Sequence, residues 1–315
     1  MAVCVVGSFV QDLSFKTEHF PAPGETRIGR FKTGPGGKGF NQAVACARQN
    51  VETNFIGAVG DDVFGAGARA FAEQEKIDAR FEVVSGAASG AASIVVGPSA
   101  QNMIVVALGA NDCLSPDFVS RNADCIAKAS ILVCQLECAL DSIKNAFAIA
   151  RENSTISILN PAPINDGVDA ELLALADILI PNESELSFLS TKLLGRSVID
   201  FNNDQALTDV CSELGLTCAV VTLGEAGCFV FDARGRNVET FRIGAVAVDA
   251  ADTTGAGDAF CGGFAAALSR DSADLRRAAL EGTVVAGLSV TREGTAPAMP
   301  KRDEVERLGA EHGLL

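Results

Sequence analysis

The chain has 315 residues, of which 48% are hydrophobic, and its formal net charge is −15. This length and composition can support one large α/β domain or two smaller ones, and the negative charge argues against nonspecific binding of nucleic acid or of an anionic membrane. The apolar runs are too short to span a bilayer, and the first residues, MAVCVVGSFVQD, turn polar too soon for a signal peptide. Ten scattered cysteines without a C-x-x-C pair are typical of reduced thiols in a cytoplasmic protein, and only two histidines argue against a His-centred catalytic or metal site.

Strand-like and helix-like segments alternate along most of the chain. A first core strand is expected at 2–6, and further strands are expected at 53–56, 131–135, 156–159 and 178–180. Helices are expected after these later strands at 65–74, 141–151, 170–176 and 183–194, with two closing helices at 275–288 and 302–310. This repeated order predicts a parallel sheet with helices on both faces.

Two regions break this alternation. Residues 10–32 and 92–107 each read as a pair of short strands, the second pair joined by Gly97-Pro98-Ser99. Beside an α/β core, four such strands form either a lid over a ligand site or an ordinary antiparallel edge.

A glycine-rich segment, Gly34-Pro-Gly-Gly-Lys-Gly39, precedes a predicted helix with Asn41 in its first turn. It matches G-x-G-x-x-G as text, but it does not follow the first strand as a dinucleotide fingerprint would. It is not a phosphate-binding P-loop either, because Gly39 follows Lys38. Two interpretations remain: a site that holds a polar ligand by N–H groups, ammonium and amide, or a tight turn with a solvated lysine.

The segment DTTGAGDAF, residues 252–260, begins a helix with one apolar face, and residues 244–248 before it read as a buried strand. Glycines at a helix start leave backbone N–H groups open to an anion. Asp258 is therefore either a partner of the helix dipole in the first turn or a general base beside a phosphate cradle.

Other polar residues also follow predicted strands. Asn182-Glu-Ser-Glu185 is either a helix cap or part of a hydrated Mg²⁺ site, and Thr222–Gly227 is either a hairpin turn or a nucleotide contact. Asp12 follows the first strand and Glu137 follows 131–135. Since ligand sites of open α/β sheets lie beyond the carboxyl ends of the strands, this shared placement predicts one site.

Two segments resemble the signatures of the ribokinase-like sugar kinases, the PfkB carbohydrate kinases: Gly36-Gly-Lys-Gly-Phe-Asn41 and Asp252-Thr-Thr-Gly-Ala-Gly-Asp258. They occur in the order of that family and at about its separation. Shorter matches resemble the ribokinases within it: Pro23-Gly-Glu25, Gln135-Leu-Glu137, Asn160-Pro-Ala-Pro163, Pro181-Asn-Glu-Ser-Glu185, Thr222-Leu-Gly224 and Val290-Thr-Arg-Glu-Gly294. The resemblance covers nearly the whole chain. It implies a three-layer α/β/α fold with a mostly parallel sheet, in a single domain of residues 1–315 with a small β-strand lid.

The resemblance implies an ATP-dependent phosphotransferase acting on a sugar hydroxyl, with Asp258 as the base and the N–H groups of Gly255, Ala256 and Gly257 as the anion hole. By the same resemblance, the residues that contact the sugar are Asp12, Gly37, Lys38, Gly39, Asn41 and Glu137. Those that line the ATP site are Asn182, Thr222, Gly224, Gly227 and Thr283, and Glu185 helps to hold Mg²⁺ through water. An activating K⁺ would lie among Asp252, Thr254, Ser289, Arg292, Gly294 and Ala298.

The resemblance also implies a homodimer formed through the lid, and ribose as the first substrate. Two departures favour a substrate with an apolar portion: Val10 stands where ribokinases have asparagine, and Phe40 replaces a small residue. The alternatives are a nucleoside kinase or another sugar kinase of the same family, or a catalytically silent protein that binds sugar or nucleotide.

Overall fold

The computed structural model describes residues 1–97, 101–196 and 200–314, and a nine-stranded sheet runs through its centre. The strands of the chain are β1 (Ala2–Val6), β2 (Val10–Lys16), β3 (Arg30–Gly36), β4 (Glu52–Gly60), β5 (Asp78–Val84), β6 (Gly90–Val96), β7 (Asn102–Ala107), β8 (Ile131–Cys134), β9 (Ile156–Leu159), β10 (Ile178–Leu179), β11 (Cys218–Thr222), β12 (Cys228–Asp232) and β13 (Glu239–Ile243). The central sheet has the order β13-β12-β11-β10-β9-β8-β1-β4-β5, and β12 runs antiparallel to both of its neighbours while the other pairings are parallel.

Helices cover both faces of this sheet. They are α1 (Lys38–Arg48), α2 (Val63–Gln74), α3 (Pro116–Arg121), α4 (Ala123–Ala127), α5 (Leu140–Glu152), α6 (Ala170–Leu175), α7 (Glu183–Leu194), α8 (Asp204–Glu213), α9 (Ala256–Arg270), α10 (Leu275–Ser289) and α11 (Arg302–Glu311). Because side chains alternate along a strand, Val3 and Val5 join the core beneath α1, α2, α9 and α10, whereas Cys4 and Val6 join the core beneath α5, α7 and α8. The predicted three-layer α/β class is confirmed.

No helix in the described parts of the chain combines the length and apolarity that a bilayer crossing requires. All ten cysteines are free, and Cys113 is the exposed one.

The predicted β-then-α pairs occur at their predicted places, but the buried strand expected at 244–248 is wrong. That segment has no regular structure, and the strand lies just before it, at β13. Ile243 pairs with Cys228, the first residue of β12, so the sheet offers no partner beyond that point. Val246 alone of this segment is buried, and it packs against α10 near Gly287. The alternating apolar residues of 244–248 therefore predicted a strand that does not form.

A second sheet of four strands, in the order β3-β2-β6-β7, stands beside the first. β2 pairs antiparallel with β3 and parallel with β6, and β6 pairs antiparallel with β7. In this sheet β3 begins later than the sequence indicated and continues through Gly36, so Gly34–Gly36 are strand residues and not a turn. Pro98 and Ser99 of the predicted connection lie outside the described residues.

Candidate active site

The glycine-rich segment makes an abrupt change from strand to helix. β3 ends at Gly36, Gly37 has a φ of 92°, and α1 begins at Lys38. A Cβ atom on Gly37 would lie 2.6 Å from the backbone nitrogen of Val10, so both the positive φ and the close approach require glycine. The start of α1 is thereby held against the beginning of β2.

Glu137 binds the start of α1. Its Oε2 accepts hydrogen bonds from the backbone N–H of Lys38 (2.9 Å) and from the hydroxyl of Ser8 (2.6 Å). A carboxylate at this position complements the positive end of the helix dipole. Glu137 is 8% exposed, so the loop after β8 is fixed to α1 by a charge that water scarcely reaches.

Asp258 lies in the first turn of α9, against α1. Its Oδ2 accepts from the side-chain amide of Asn41 and its Oδ1 from that of Gln42, each at 2.9 Å. Gly255 caps α9 in the left-handed conformation, with φ 80° and ψ 2°. Within the described chain, the N–H groups of Gly255, Gly257 and Asp258 have no hydrogen-bond acceptor. These free donors lie at the positive end of a 15-residue helix, which makes this end of α9 suited to an anion.

Lys38 lies among carboxylates. Burial lowers the pKa of its ammonium, but the carboxylates of Asp258, Glu137 and Glu185 outweigh that effect and hold the pKa above its ordinary value. Its charge is therefore retained at neutral pH. The same interactions show that the start of α1, the start of α9 and the start of α7 meet at one place.

Asp12 extends this group from the second sheet. Its Oδ2 accepts from the hydroxyl of Thr295 at 2.8 Å. Burial raises the pKa of Asp12 to about 6; the hydrogen bond from Thr295 lowers it, while Glu137 and Asp258 add to the increase. Asp12 is therefore a carboxylate that titrates close to neutrality.

At the start of α7 the capping-box interpretation is realised. Asn182 accepts from the backbone N–H of Glu185 at 2.8 Å, and Glu185 in turn accepts from the backbone N–H of Asn182 (2.8 Å) and from its amide (2.9 Å). Burial raises the pKa of Glu185, against the lowering effects of this hydrogen bond and of Lys38. Each carboxylate oxygen of Glu185 retains a lone pair for a water molecule.

The segment Thr222–Gly227 connects β11 and β12 as a hairpin, and Thr222 forms a β-bridge with Asn182. Gly227 has a φ of 89°, and a Cβ there would collide with the carbonyl of Ile243. Gly224 also has a positive φ, of 55°. Thr283 lies in α10 beside Cys228, the residue after Gly227; it is 5% exposed and its hydroxyl donates to the carbonyl of Ala279 at 2.9 Å.

Asp252 joins the two loops that carry most of the positions predicted to hold a monovalent cation. Its Oδ1 accepts from the N–H of Thr254 (3.0 Å) and its Oδ2 from that of Gly294 (3.1 Å). The side chain of Arg292 is paired with Glu304, so only its backbone faces this region. Ser289 and Ala298 are buried.

Phe40 does not add an aromatic surface to the site, and that expectation is wrong. Its side chain is fully buried in an aromatic cluster with Phe9, Phe55, Phe71 and Phe81. Asn41 and Gln42, which follow it on α1, point toward Asp258 instead. Val10 is different, since it precedes Asp12 by two positions in β2 and the two side chains share one face of the strand.

Sequence reasoning missed five polar residues that hold the site together: Ser8, Gln42, Gln135, Asn160 and Thr295. Gln135 and Asn160 stood in recognised segments, at the carboxyl ends of β8 and β9, and that placement was the available signal. Ser8 and Thr295 gave no signal in the sequence, because their hydrogen-bond partners are distant in the chain.

A buried carboxylate beside free helix N–H groups, at the carboxyl edge of an α/β sheet, is the arrangement of a protein that handles phosphorylated ligands. Residues 2–302 match the pfkB family carbohydrate kinases. A ribokinase from Haemophilus influenzae is 37% identical over 302 residues, covering 95% of each chain, and a deoxyribokinase from Salmonella typhi is 34% identical over 306 residues, covering 96% of this chain and 97% of the other. The solved structure of Arabidopsis thaliana ribokinase complexed with ribose and ATP is 30% identical and superposes with a TM-score of 0.82, covering 98% of this chain and 99% of the other. The chain belongs to the pfkB family of carbohydrate kinases and is an ATP-dependent sugar kinase.

Proposed function

We propose that this protein phosphorylates ribose at a hydroxyl group, with Asp258 as the general base. The observation that carries the proposal is the position of the Asp258 carboxylate beside the unpartnered N–H groups of Gly255 and Gly257. Phosphoryl transfer depends mainly on positioning and on stabilising charge. Asp258 would take the hydroxyl proton, and the free N–H groups of Gly255 and Gly257 would face the phosphoryl group. ATP supplies that group when it is bound. The N–H of Ala256, also expected in the anion hole, instead donates to the carbonyl of Thr253 at 3.3 Å.

The sugar would lie between the second sheet and α1. Asn41 supports this placement, since its Oδ1 is buried without a hydrogen-bond partner in the described residues and is free to accept from a hydroxyl. Asp12, Lys38 and Glu137 surround the same space, and the positive φ of Gly37 brings the backbone of Gly37 and Gly39 close to it.

The nucleotide would lie along the carboxyl ends of β10 and β11. The bridge between Asn182 and Thr222 and the turn that needs glycine at Gly227 bring exposed backbone to this edge of the sheet, which a nucleotide can lie along. Gly224 belongs to that turn. Thr283 is next to this turn, beside Cys228, and the proton of its hydroxyl is bonded inside α10. Glu185 suits hydrated Mg²⁺, which keeps several of its waters.

For K⁺, the carboxylate of Asp252 already holds the 252–254 and 290–294 loops together, and most of the remaining donors would be backbone carbonyls. We propose a monovalent-cation site there.

We also propose that the protein is cytoplasmic. The ten cysteines support this location, because all of them are free thiols.

We propose that the chain is one kinase domain whose second sheet acts as a lid and joins two subunits. The face of this sheet opposite Asp12 carries Phe15 and Phe31, whose rings are 5.1 Å apart, together with Met103 and Val105. Phe31, Met103 and Val105 are 57%, 60% and 72% exposed. A contiguous apolar surface of this kind favours association with a second copy of the sheet.

Val10 favours a second candidate substrate, 2-deoxyribose. It is 2% exposed on the Asp12 face of β2, and its side chain gives a sugar hydroxyl no hydrogen-bond partner where an asparagine would. Leaving a buried hydroxyl unpaired costs about 1–3 kcal/mol, enough to reverse a preference between two sugars. The nucleoside alternative loses its main support, because Phe40 faces the core.

A coupled ADP-release assay with Mg·ATP on ribose, 2-deoxyribose, fructose and adenosine tests these assignments, run in K⁺, Na⁺ and Tris buffers. We expect kcat/KM to be highest on a pentose and higher in K⁺. Val10→Asn should raise the ribose-to-deoxyribose ratio of kcat/KM by about tenfold. Val10→Ala, which adds no amide, is the control. A maximum on adenosine would contradict the pentose assignment, and equal rates in the three buffers would contradict the cation site.

The raised pKa of Asp12 predicts that sugar binding depends on pH. Sugar hydroxyls donate to its ionised carboxylate, so affinity should fall as the pH drops through about 6, the pKa to which burial raises Asp12. Calorimetry without ATP should give a sugar Kd about tenfold higher at pH 5 than at pH 7.5.

Asp12→Asn is the control for this prediction. It should bind sugar weakly with no such pH dependence. Because a raised folded-state pKa makes the ionised form costly, the variant should also melt above the wild type, with a gap that is complete above pH 6 and closes as the pH falls toward 3.8. A wild-type Kd that is constant from pH 5 to 7.5 would exclude Asp12 from the sugar site.

A further inference from the structure

Three buried amides lie behind Asp258: Gln42 on α1, Gln135 after β8 and Asn160 after β9. Gln42 Nε2 donates to Oδ1 of Asp258 (2.9 Å) and to Oδ1 of Asn160 (3.1 Å), and Gln42 Oε1 accepts from Nε2 of Gln135 (2.6 Å). We call this set the amide relay. It connects the central sheet to the carboxylate without touching the space proposed for the sugar.

The amide orientations in the relay follow from chemistry. Asn160 bonds the backbone carbonyl of Ile180 at 2.8 Å, and a carbonyl can only accept, so the Asn160 nitrogen faces it. The Asn160 oxygen must then face Gln42, and an oxygen there can only accept. The NH₂ of Gln42 is thereby fixed, and its second hydrogen points at Asp258. No rotation of Gln42 improves this arrangement, since a flipped amide would lose all three bonds.

The packing of α1 against α9 makes the bond to Asp258 possible. A Cβ atom on Gly262 would collide with the side chain of Ala45, so glycine lets the two helices approach closely. Gln42 and Asp258 both lie in this contact and are 0% and 6% exposed. Because the contact is closed to solvent, water cannot take the place of the Gln42 amide in a variant that lacks it.

The two oxygens of Asp258 are held differently. Oδ2 accepts from Asn41, whose own oxygen has no partner in the described residues. Oδ1 accepts from Gln42, whose amide is held by two further hydrogen bonds, to Asn160 and from Gln135. The fixed donor therefore sets the plane of the carboxylate.

We propose that Gln42 is a positioning residue for the phosphoryl-transfer reaction. It acts through Asp258, holding one carboxylate oxygen so that the other faces the hydroxyl to be phosphorylated. The inference rests on the proposed function, in which Asp258 is the base. Gln42 itself does not contact the substrate.

The test compares Gln42→Leu with Gln49→Leu. Gln49 is a matched control, because it is also a buried glutamine of the α1 region, 1% exposed, whose amide donates to the carbonyl of Pro300 at 2.9 Å, away from Asp258. We expect Gln42→Leu to lower kcat by about 10- to 100-fold, the value of a hydrogen bond to a charged group, with the sugar KM changed less than about threefold. Gln49→Leu should lose thermal stability but keep both kcat and the sugar KM.

Two further variants test whether Gln42 acts through Asp258. Gln42→Glu is isosteric and remains testable if the leucine variant does not fold. Its new carboxyl donates only when protonated, so its relative activity should rise as the pH falls, opposite to the wild type. In the Asp258→Asn background, Gln42→Leu should cause no additional loss of residual rate.

The outcomes separate the two proposals. If Asp258→Asn abolishes turnover but Gln42→Leu behaves like Gln49→Leu, the positioning role is wrong and the proposed function stands. If Asp258→Asn remains active, the proposed function fails first.

Discussion

With Asp258 as the proposed base, we expect Asp258→Asn to lower kcat by at least about three orders of magnitude while sugar and ATP still bind, because the variant would have no group to accept the hydroxyl proton. The fold should tolerate the change. A new NH₂ in place of Oδ2 would face the NH₂ of Asn41, but Asn41 can rotate to present its unpartnered oxygen. Single-turnover kinetics with either pentose would measure the effect, and calorimetry would confirm binding.

Asn41→Asp is the informative companion to this variant, because it places a second carboxylate beside Asp258 and should weaken sugar binding as well as turnover. Turnover within tenfold of the wild type in Asp258→Asn would show that another group takes the proton, and the mechanism proposed here would be withdrawn.

Gly257→Leu should abolish most activity without destabilising the protein. Gly257 lies in the first turn of α9, and nothing lies within 4 Å of a Cβ built there, so the helix accepts a side chain. Leucine is a better helix former than glycine by several tenths of a kcal/mol, which predicts an unchanged or higher Tm. The side chain would occupy the space over the free N–H groups, where we propose that the phosphoryl group lies. We expect kcat/KM for ATP to fall by at least about 100-fold.

Gly67→Leu is the matched control. Gly67 is an exposed glycine of α2 that also has nothing within 4 Å of its Cβ position, and it is remote from the site. It should show the same change in Tm and normal kinetics. Normal kinetics in Gly257→Leu as well would exclude the start of α9 as the anion hole.

The glycines show how local sequence predicts local structure. Gly37 and Gly255 were identified from their motifs, and both have the positive φ that those motifs require. The cap formed by Asn182 and Glu185 was equally readable, since both partners are three residues apart. In contrast, the apolar residues at 244–248 predicted a strand that pairing does not permit, because β12 begins opposite Ile243.

Phe40 and Gln42 show where local reading fails. They are two positions apart in the same motif, yet one enters an aromatic core and the other reaches Asp258, which is 216 residues away in the chain. Only the crossing of α1 and α9 decides which face of α1 meets which neighbour. Asp12 is similar, since its partner Thr295 lies 283 residues further on.

The sequence by itself determined the α/β class, the order of most strands and helices, and the family to which the chain belongs, because periodicity, glycine positions and capping residues act within a few positions of one another. The tertiary structure decided the environment of each polar group: the relay behind Asp258, the carboxylates around Lys38 and the burial that raises the pKa of Asp12. Hydrogen bonds and desolvation depend on distances between segments that are far apart in the chain, and those distances exist only once the helices and sheets have packed.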